Sequence, residues 1–105
     1  MANGKLGGVD LAAATETLLY QVPASAVATV NVNFANRNGS EINVRLAVAA
    51  SSASGASATD YLLYDINVKA NESLQYTGIV VSQGQKVFVQ SDTASVTALA
   101  VGFEE

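Results

Sequence analysis

The sequence of 105 residues contains no cysteine and no histidine. Without cysteine it has no disulfide, thiolate metal ligand or thiol nucleophile, and without histidine it lacks the most common general base. Calcium-loop, phosphate-loop and serine-elbow motifs are absent, and the carboxylates are scattered beside turns or on polar strand faces, apart from a terminal pair at 104–105. We therefore predict that the chain is not an enzyme and has no catalytic, cofactor-binding or metal-binding residues.

Charge is scarce as well. Only 13% of the residues are charged, compared with about 25% in an average soluble domain, and the net charge is −4. Nucleic acids and anionic membranes are bound by basic surfaces, so we expect neither as a partner. The sequence lacks both the apolar run of a membrane-spanning helix and the N-terminal apolar block of a signal peptide. We therefore expect synthesis in a cytoplasm without export by the general secretory route.

Two segments alternate between apolar and polar residues, which is the pattern of a strand with one buried face. In residues 28–34 the apolar positions are Ala28, Val30, Val32 and Phe34. In residues 41–48 they are Ile42, Val44, Leu46 and Val48. The intervening run of residues 36–40, Asn-Arg-Asn-Gly-Ser, is rich in turn formers, so we predict that the two strands form a β-hairpin.

Further strands are predicted over residues 17–22, 61–68, 73–81, 86–90 and 95–103, with a bulge or a break at Gly78. In residues 61–68 the alternation places Tyr61 and Leu63 opposite a face formed by Leu62, Tyr64, Ile66 and Val68. Turn signals every eight to twelve residues or so favour one all-β domain over residues 1–105. We predict an antiparallel β-sandwich of about seven or eight strands with jelly-roll-like or Ig-like connectivity.

Three segments leave alternatives open. Residues 11–19 also fit the apolar stripe of a helix, although the β assignment is preferred. Residues 49–59 are nearly all alanine, serine and glycine, so we expect a mobile loop that is either an exposed connector or a contact arm that orders on assembly. The N-terminal arm, residues 1–9, is either a frayed terminus or a second contact element.

The apolar content exceeds what one buried face per strand would use. Residues 95–103 set a face of small apolar residues against a bulky one with Leu99, Val101 and Phe103. Charge depletion together with apolar residues on both faces is typical of a subunit interface, so we predict a homo-oligomer or a component of a larger assembly. The predicted assembly contacts are Leu6, Val9, Ser54, Tyr61, Leu63, Leu99, Val101 and Phe103.

A rival interpretation concerns the tyrosines. Small β-sandwich lectins bind sugars on aromatic platforms, and Tyr20, Tyr61, Tyr64 and Tyr76 could form one. The alternative is that Tyr20 and Tyr64 belong to the core or its edge, with their hydroxyl groups reaching water. A glycan-binding module is therefore the second function class that the sequence allows.

Several runs of the sequence together form a pattern of strands and turns. The first is Leu-Ala-Ala-Ala-Thr-Glu-Thr-Leu-Leu-Tyr-Gln-Val-Pro over residues 11–23, followed by Ala-Thr-Val-Asn-Val-Asn-Phe-Ala-Asn-Arg-Asn over 28–38 and Ile-Asn-Val-Arg-Leu-Ala-Val over 42–48. These runs resemble small virion proteins of tailed bacteriophages, and residues 61–65, 84–87 and 101–105 also fit comparable stretches in that group. The likeness covers most of the chain, and the shared motifs belong to strands and turns.

This resemblance implies a virion structural protein with a β-sandwich fold. It implies a decoration (cement) protein that binds the major capsid protein or other virion proteins on the outer shell, or alternatively a tail, neck or fibre component. It supplies no catalytic or ligand-binding residue, and the expected location of the protein is the virion.

Overall fold

The computed structural model describes residues 3–105 and contains eight β-strands in that range. Their bounds are β1 Asn3–Leu11, β2 Thr17–Gln21, β3 Ala28–Asn36, β4 Ile42–Ala49, β5 Tyr61–Val68, β6 Ser73–Val81, β7 Lys86–Ser91 and β8 Val96–Glu104. No helix long and apolar enough to cross a membrane occurs in the described range. The helical alternative for residues 11–19 is wrong, because Leu11 ends β1 and Thr17 begins β2.

The strands form two four-stranded antiparallel sheets that pack together. Sheet A has the order β1-β8-β3-β6 and sheet B has the order β2-β7-β4-β5. The predicted all-β sandwich is confirmed. Eight strands distributed over two sheets in this order give the connectivity of a jelly roll, whereas an Ig-like domain keeps a different strand order.

The predicted hairpin between β3 and β4 is wrong. β3 lies between β8 and β6 in sheet A, and β4 lies between β7 and β5 in sheet B. Residues 37–41 therefore carry the chain from one sheet to the other instead of closing a tight turn. Alternation shows that each strand buries one face, but it does not show whether two strands share a sheet. Strands in opposite sheets bury their apolar faces in the same core as well as neighbouring strands do.

The core fills the space between the sheets and follows the predicted alternation in β3. Its burial pattern is strictly two-residue, with Ala28, Val30, Val32 and Phe34 at most 1% exposed. The other sheet contributes Ile42, Val44, Leu46, Val87 and Val89. Outward-facing residues on every strand are consequently free of core packing, and they decide what the surface can bind.

Residues 3–9 belong to β1 and do not form an arm; residues 1 and 2 lie outside the described residues. β1 pairs with β8 along its length, from Asn3 opposite Phe103 to Leu11 opposite Val96. A side chain at Gly7 would place its Cβ atom 2.4 Å from the carbonyl oxygen of Leu19, so glycine is required where β1 passes β2. The glycine that suggests flexibility in the sequence serves close backbone packing.

Residue Asn36 connects two of the crossovers between the sheets. Its side chain is 3% exposed, and its Nδ2 group lies 2.9 Å from the carbonyl oxygen of Ser40, 3.3 Å from that of Val68 and 3.1 Å from that of Lys69. Its Oδ1 atom accepts hydrogen bonds from the backbone and side-chain nitrogens of Asn38. The β3–β4 connection and the start of the β5–β6 connection are thus held together by one amide.

Replacing Asn36 with aspartate should strongly destabilise the fold. Asn36→Asp removes both N–H donors and turns a buried carboxylate toward carbonyl oxygens, which costs about 3–5 kcal/mol at pH 7. Part of this loss should return at acidic pH, because burial raises the pKa of the new carboxyl and its protonated form regains a donor. Urea unfolding monitored by circular dichroism measures the effect.

The matched control is Asn67→Asp. Asn67 is exposed, and its side chain makes one hydrogen bond, of 3.5 Å, to Asn43. The free energy of unfolding of the Asn67→Asp variant should therefore differ from that of the unaltered protein by no more than about 0.5 kcal/mol. Equal urea midpoints for the two variants would contradict the role assigned to Asn36.

Candidate functional site

The outer surface of sheet A is uncharged over three of its four strands. We call the outward-facing residues of β3, β6 and β8 the uncharged face. Its members are Thr29, Asn31, Asn33, Ala35, Ser73, Gln75, Thr77, Val80, Thr97, Leu99, Val101 and Phe103. None of them carries a charge, although the chain as a whole carries −4. A neutral sheet surface has the composition of a protein contact and not of a site for an ionic ligand.

A strip of apolar residues runs along β8 within this face. Leu99 and Val101 are partly buried by their neighbours, while Phe103 is 45% exposed. On the opposite edge of the sheet, Val80 of β6 is 69% exposed. Three of the predicted assembly contacts therefore share one surface, which also displays amide side chains such as that of Asn33.

The fourth strand of sheet A places one charge of each sign beside the uncharged face. Lys5 is the register partner of Val101 and Asp10 that of Thr97, so both point outward from β1. Asp10 forms an ion pair with Arg37 in the connection between β3 and β4. Lys5 makes no ion pair with any residue in the described range 3–105. Lys5, which has no ion-pair partner among the described residues, therefore borders the uncharged face together with Asp10.

The outer surface of sheet B carries a different chemistry. The Arg45 guanidinium lies over the ring of Tyr64, with 4.2 Å between its Cζ atom and the ring centroid. It also binds both carboxylate oxygens of Asp65, with Nε 2.7 Å from Oδ1 and a terminal nitrogen 3.2 Å from Oδ2. The ring of Tyr61 meets that of Tyr64 edge to face at 4.9 Å between centroids. We call these four residues the arginine–tyrosine cluster.

The electrostatics of this cluster follow from the bidentate ion pair. The hydrogen bonds from Arg45 hold the pKa of the Asp65 carboxyl below its ordinary value, and the same hydrogen bonds raise the pKa of Arg45. Beside the cluster is a polar cavity of about 170 Å³. It is lined by Ala14, Asn43, Arg45, Asp65, Gln90, Ser91 and Asp92.

The sequence placed Tyr61 and Tyr64 on opposite faces, and that prediction is wrong. The pairing of β4 with β5 shifts register between Leu46 and Ala47, because Leu46 is opposite Leu63 and Ala47 is opposite Tyr61. The extra residue between Tyr61 and Leu63 brings the two tyrosines to one surface. Alternation fails wherever a bulge inserts a residue, and the two leucines between the tyrosines give no local signal of one.

The other two tyrosines do not join the cluster. Tyr20 is 8% exposed and its hydroxyl donates a hydrogen bond to the carboxylate of Glu104, instead of reaching water. Burial, together with this carboxylate, raises the pKa of Tyr20. Tyr76 packs against the core from β6. A sugar platform built from all four tyrosines is therefore absent.

The segment rich in alanine, serine and glycine packs more closely than its composition suggests. Ala53 and Ala56 lie against a small outer cluster around Phe88 and Ala47. The Lys86 ammonium donates to the carbonyl of Ala53 at 2.9 Å. Small side chains let the backbone of this segment lie close to sheet B. Ser54 remains exposed at its tip.

The remaining predicted assembly contacts face other surroundings. Leu6, Val9 and Leu63 are partly buried and pack against the main core, and Tyr61 packs against the cluster around Phe88. Among the residues described, no three acidic side chains converge closely enough to hold a metal ion.

Comparisons with protein-family models, with curated proteins and with solved structures gave no match for this chain. The geometry of the two outer sheet surfaces is therefore what bears on function.

Removing the arginine of the cluster should change the titration of Asp65. In Arg45→Gln the pKa of Asp65 should rise toward that of an unperturbed aspartate, because the hydrogen bonds that favour the ionised form are lost. The ion pair contributes stability above the pKa of an unfolded aspartate and loses it as pH falls through the lower folded value. The carboxyl carbon shift of Asp65, followed by NMR, measures this pKa. Arg37→Gln breaks the other arginine ion pair and should leave the titration of Asp65 unchanged.

Proposed function

We propose that this protein is a non-enzymatic structural component of a tailed-phage virion that binds the outer surface of the capsid as a decoration protein. The observation that carries the proposal is the uncharged face of sheet A, a wide neutral surface on a protein with net charge −4, which supports a part that works by contact between protein chains within an assembly. The resemblance of residues 11–48 to small phage virion proteins supports the phage setting. The jelly-roll connectivity supports it by analogy, since viral capsid domains use this architecture, although a fold alone does not fix a function.

Such a protein would act by adding buried surface between neighbouring shell subunits. A specific protein contact buries on the order of 1,600 Å², and binding only to the assembled shell shifts the equilibrium away from disassembly. The protein needs no reactive side chain for this role. It needs a rigid domain that can be present in many copies, and a sandwich with its core between two sheets supplies rigidity.

The test is the number of copies per purified particle. We expect hundreds of copies of the chain per virion, measured from protein-band intensities calibrated against the major capsid protein. A handful of copies would instead support a tail, neck or fibre component, and a complete absence from particles would contradict the virion role. Adding purified protein to shells that lack it should give co-sedimentation that saturates at a fixed ratio to the major capsid protein.

A second candidate function rests on the arginine–tyrosine cluster. Tyr64 is 55% exposed, and it stands beside planar amide and carboxylate groups that can each bind a pair of sugar hydroxyls. Jelly rolls also occur among lectins. On these grounds the outer surface of sheet B is a candidate carbohydrate-binding site.

Alanine substitutions distinguish the two functions. If the cluster binds sugar, Tyr61→Ala and Tyr64→Ala should lower affinity for members of a panel of neutral and acidic oligosaccharides by about tenfold, as one lost aromatic contact would. Binding to shells should remain intact. Tyr76→Phe serves as the control because Tyr76 lies on the other sheet. Absence of measurable binding to the whole panel by the unaltered protein would contradict this second function.

A further inference from the structure

One row of residues crosses the outer surface of sheet A from edge to edge. Gly8 is the register partner of Leu99, Leu99 that of Asn33, and Asn33 that of Gln75. A Cβ atom at Gly8 would lie 3.2 Å from the Leu99 side chain and 3.1 Å from that of Lys5, which places the open side of this glycine on the outer surface. We call these four residues the central row.

The members of the central row are compatible with their own copies. Glycine and leucine can meet an identical residue by van der Waals contact. Each amide carries both donors and an acceptor, so it can pair with an identical amide. Nothing in the row opposes a contact in which each residue meets itself.

The two charged residues of β1 are placed symmetrically about this row. Lys5 is aligned with Val101, two residues after Leu99, and Asp10 is aligned with Thr97, two residues before it. A two-fold axis along the central row therefore exchanges the positions of Lys5 and Asp10. Their charges are opposite, so the exchange brings each lysine opposite an aspartate.

We infer that two copies of the chain pack the outer surfaces of sheet A against each other about a two-fold axis along the central row, with Lys5 of each copy facing Asp10 of the other. The inference deepens the proposed function, since it names a second copy as the occupant of the uncharged face. It leaves the outer surface of sheet B and the segment around Ser54 on the outside of the dimer.

Size and charge both favour a second copy as the occupant. Four strands about 4.8 Å apart and nine residues long give a surface of about 570 Å², so a pair of copies covers about 1,100 Å², above the roughly 1,000 Å² of a specific interface. Two chains of charge −4 repel each other over most orientations, and contact through the uncharged face with two lysine–aspartate pairs avoids this repulsion.

Pairing through the sheet edges is less favourable. The edge strands are β1 and β6 in sheet A and β2 and β5 in sheet B. β5 and β6 carry irregularities at Asp65 and Gly78, both with positive φ. The pairing of β1 shifts register between Lys5 and Gly7, and that of β2 between Leu18 and Tyr20. Such bulges interrupt the regular ladder that an added strand would need. The central row, in contrast, runs through direct register partners on all four strands of sheet A.

Charge reversal in two separate proteins tests the arrangement. Lys5→Glu places glutamate opposite aspartate twice, and Asp10→Lys places lysine opposite lysine twice, so each variant should dimerise at least about tenfold more weakly than the unaltered protein. An equimolar mixture should regain the dimer as a heterodimer, because both contacts then join opposite charges. Sedimentation velocity gives the dissociation constants, and native mass spectrometry identifies the heterodimer.

Two controls separate this effect from net charge and from the Asp10–Arg37 ion pair. Lys69→Glu makes the same charge change as Lys5→Glu at an exposed residue that is paired with Glu41 away from the face, and it should dimerise normally. Arg37→Gln removes the ion pair of Asp10 without reversing a charge on β1, and it should also dimerise.

A second pair of variants tests the axis itself. Gln75 is exposed and lies on the central row, where each copy would meet its own counterpart. Gln75→Glu and Gln75→Lys should therefore both weaken the dimer, although their charges are opposite, and mixing them should restore it. A residue away from a two-fold axis would not respond to both signs in this way.

The inference is overturned if the unaltered protein is a monomer at about 1 mM, if Lys5→Glu dimerises as Lys69→Glu does, or if neither mixture restores a dimer. All of these measurements use isolated protein without shells. A dimer that does not bind shells would count against the proposed function alone, and a monomer that still binds shells would count against this inference alone.

Discussion

The structure depends on the chain changing sheets at nearly every connection. Of consecutive strands, only β4 and β5 are neighbours in one sheet, so almost every ladder joins segments that are distant in sequence. Closing such loops costs entropy before any contact repays it, and the crossovers must be held in place. Asn36 does this at one end of the sandwich, where its amide binds carbonyl groups from two connections. A single side chain with two donors and an acceptor is suited to that position.

This arrangement also separates the two outer surfaces chemically. Because each strand gives alternate residues to the core, its remaining residues form a surface whose composition the core does not determine. Many charged side chains lie in or next to the crossovers at the Asn36 end, including the Lys69–Glu41 and Arg37–Asp10 pairs. Sheet B holds Arg45 and Asp65 on its outside, whereas β3, β6 and β8 present none. The few charged residues of the sequence therefore lie outside the uncharged face.

Period-two alternation predicted which segments are strands and which residues of β3 and β4 face the core, because burial of one face acts on each strand separately. Strand pairing depends on which sheet the chain enters, and the turn residues 36–40 suit a crossover as well as a hairpin. β1 was missed because Gly7 weakens the strand pattern while serving close packing against Leu19. The arginine–tyrosine cluster was missed because the register shift between Tyr61 and Leu63 brings together tyrosines that strict alternation keeps apart. Alternation also predicted that Leu99, Val101 and Phe103 share one face of β8, and their role as assembly contacts stays a prediction.

A neutral face on an acidic protein also bears on specificity. Surfaces that attract by charge bind many partners of opposite sign, whereas a neutral face discriminates by shape and by the amides and apolar groups it must match. The rest of each chain is negatively charged, so electrostatic repulsion between two copies disfavours other orientations. Charge depletion confined to one sheet surface thus restricts the orientations in which the domain can associate. A second copy of the chain offers the same neutral surface, so a symmetric contact meets this requirement without a different partner protein.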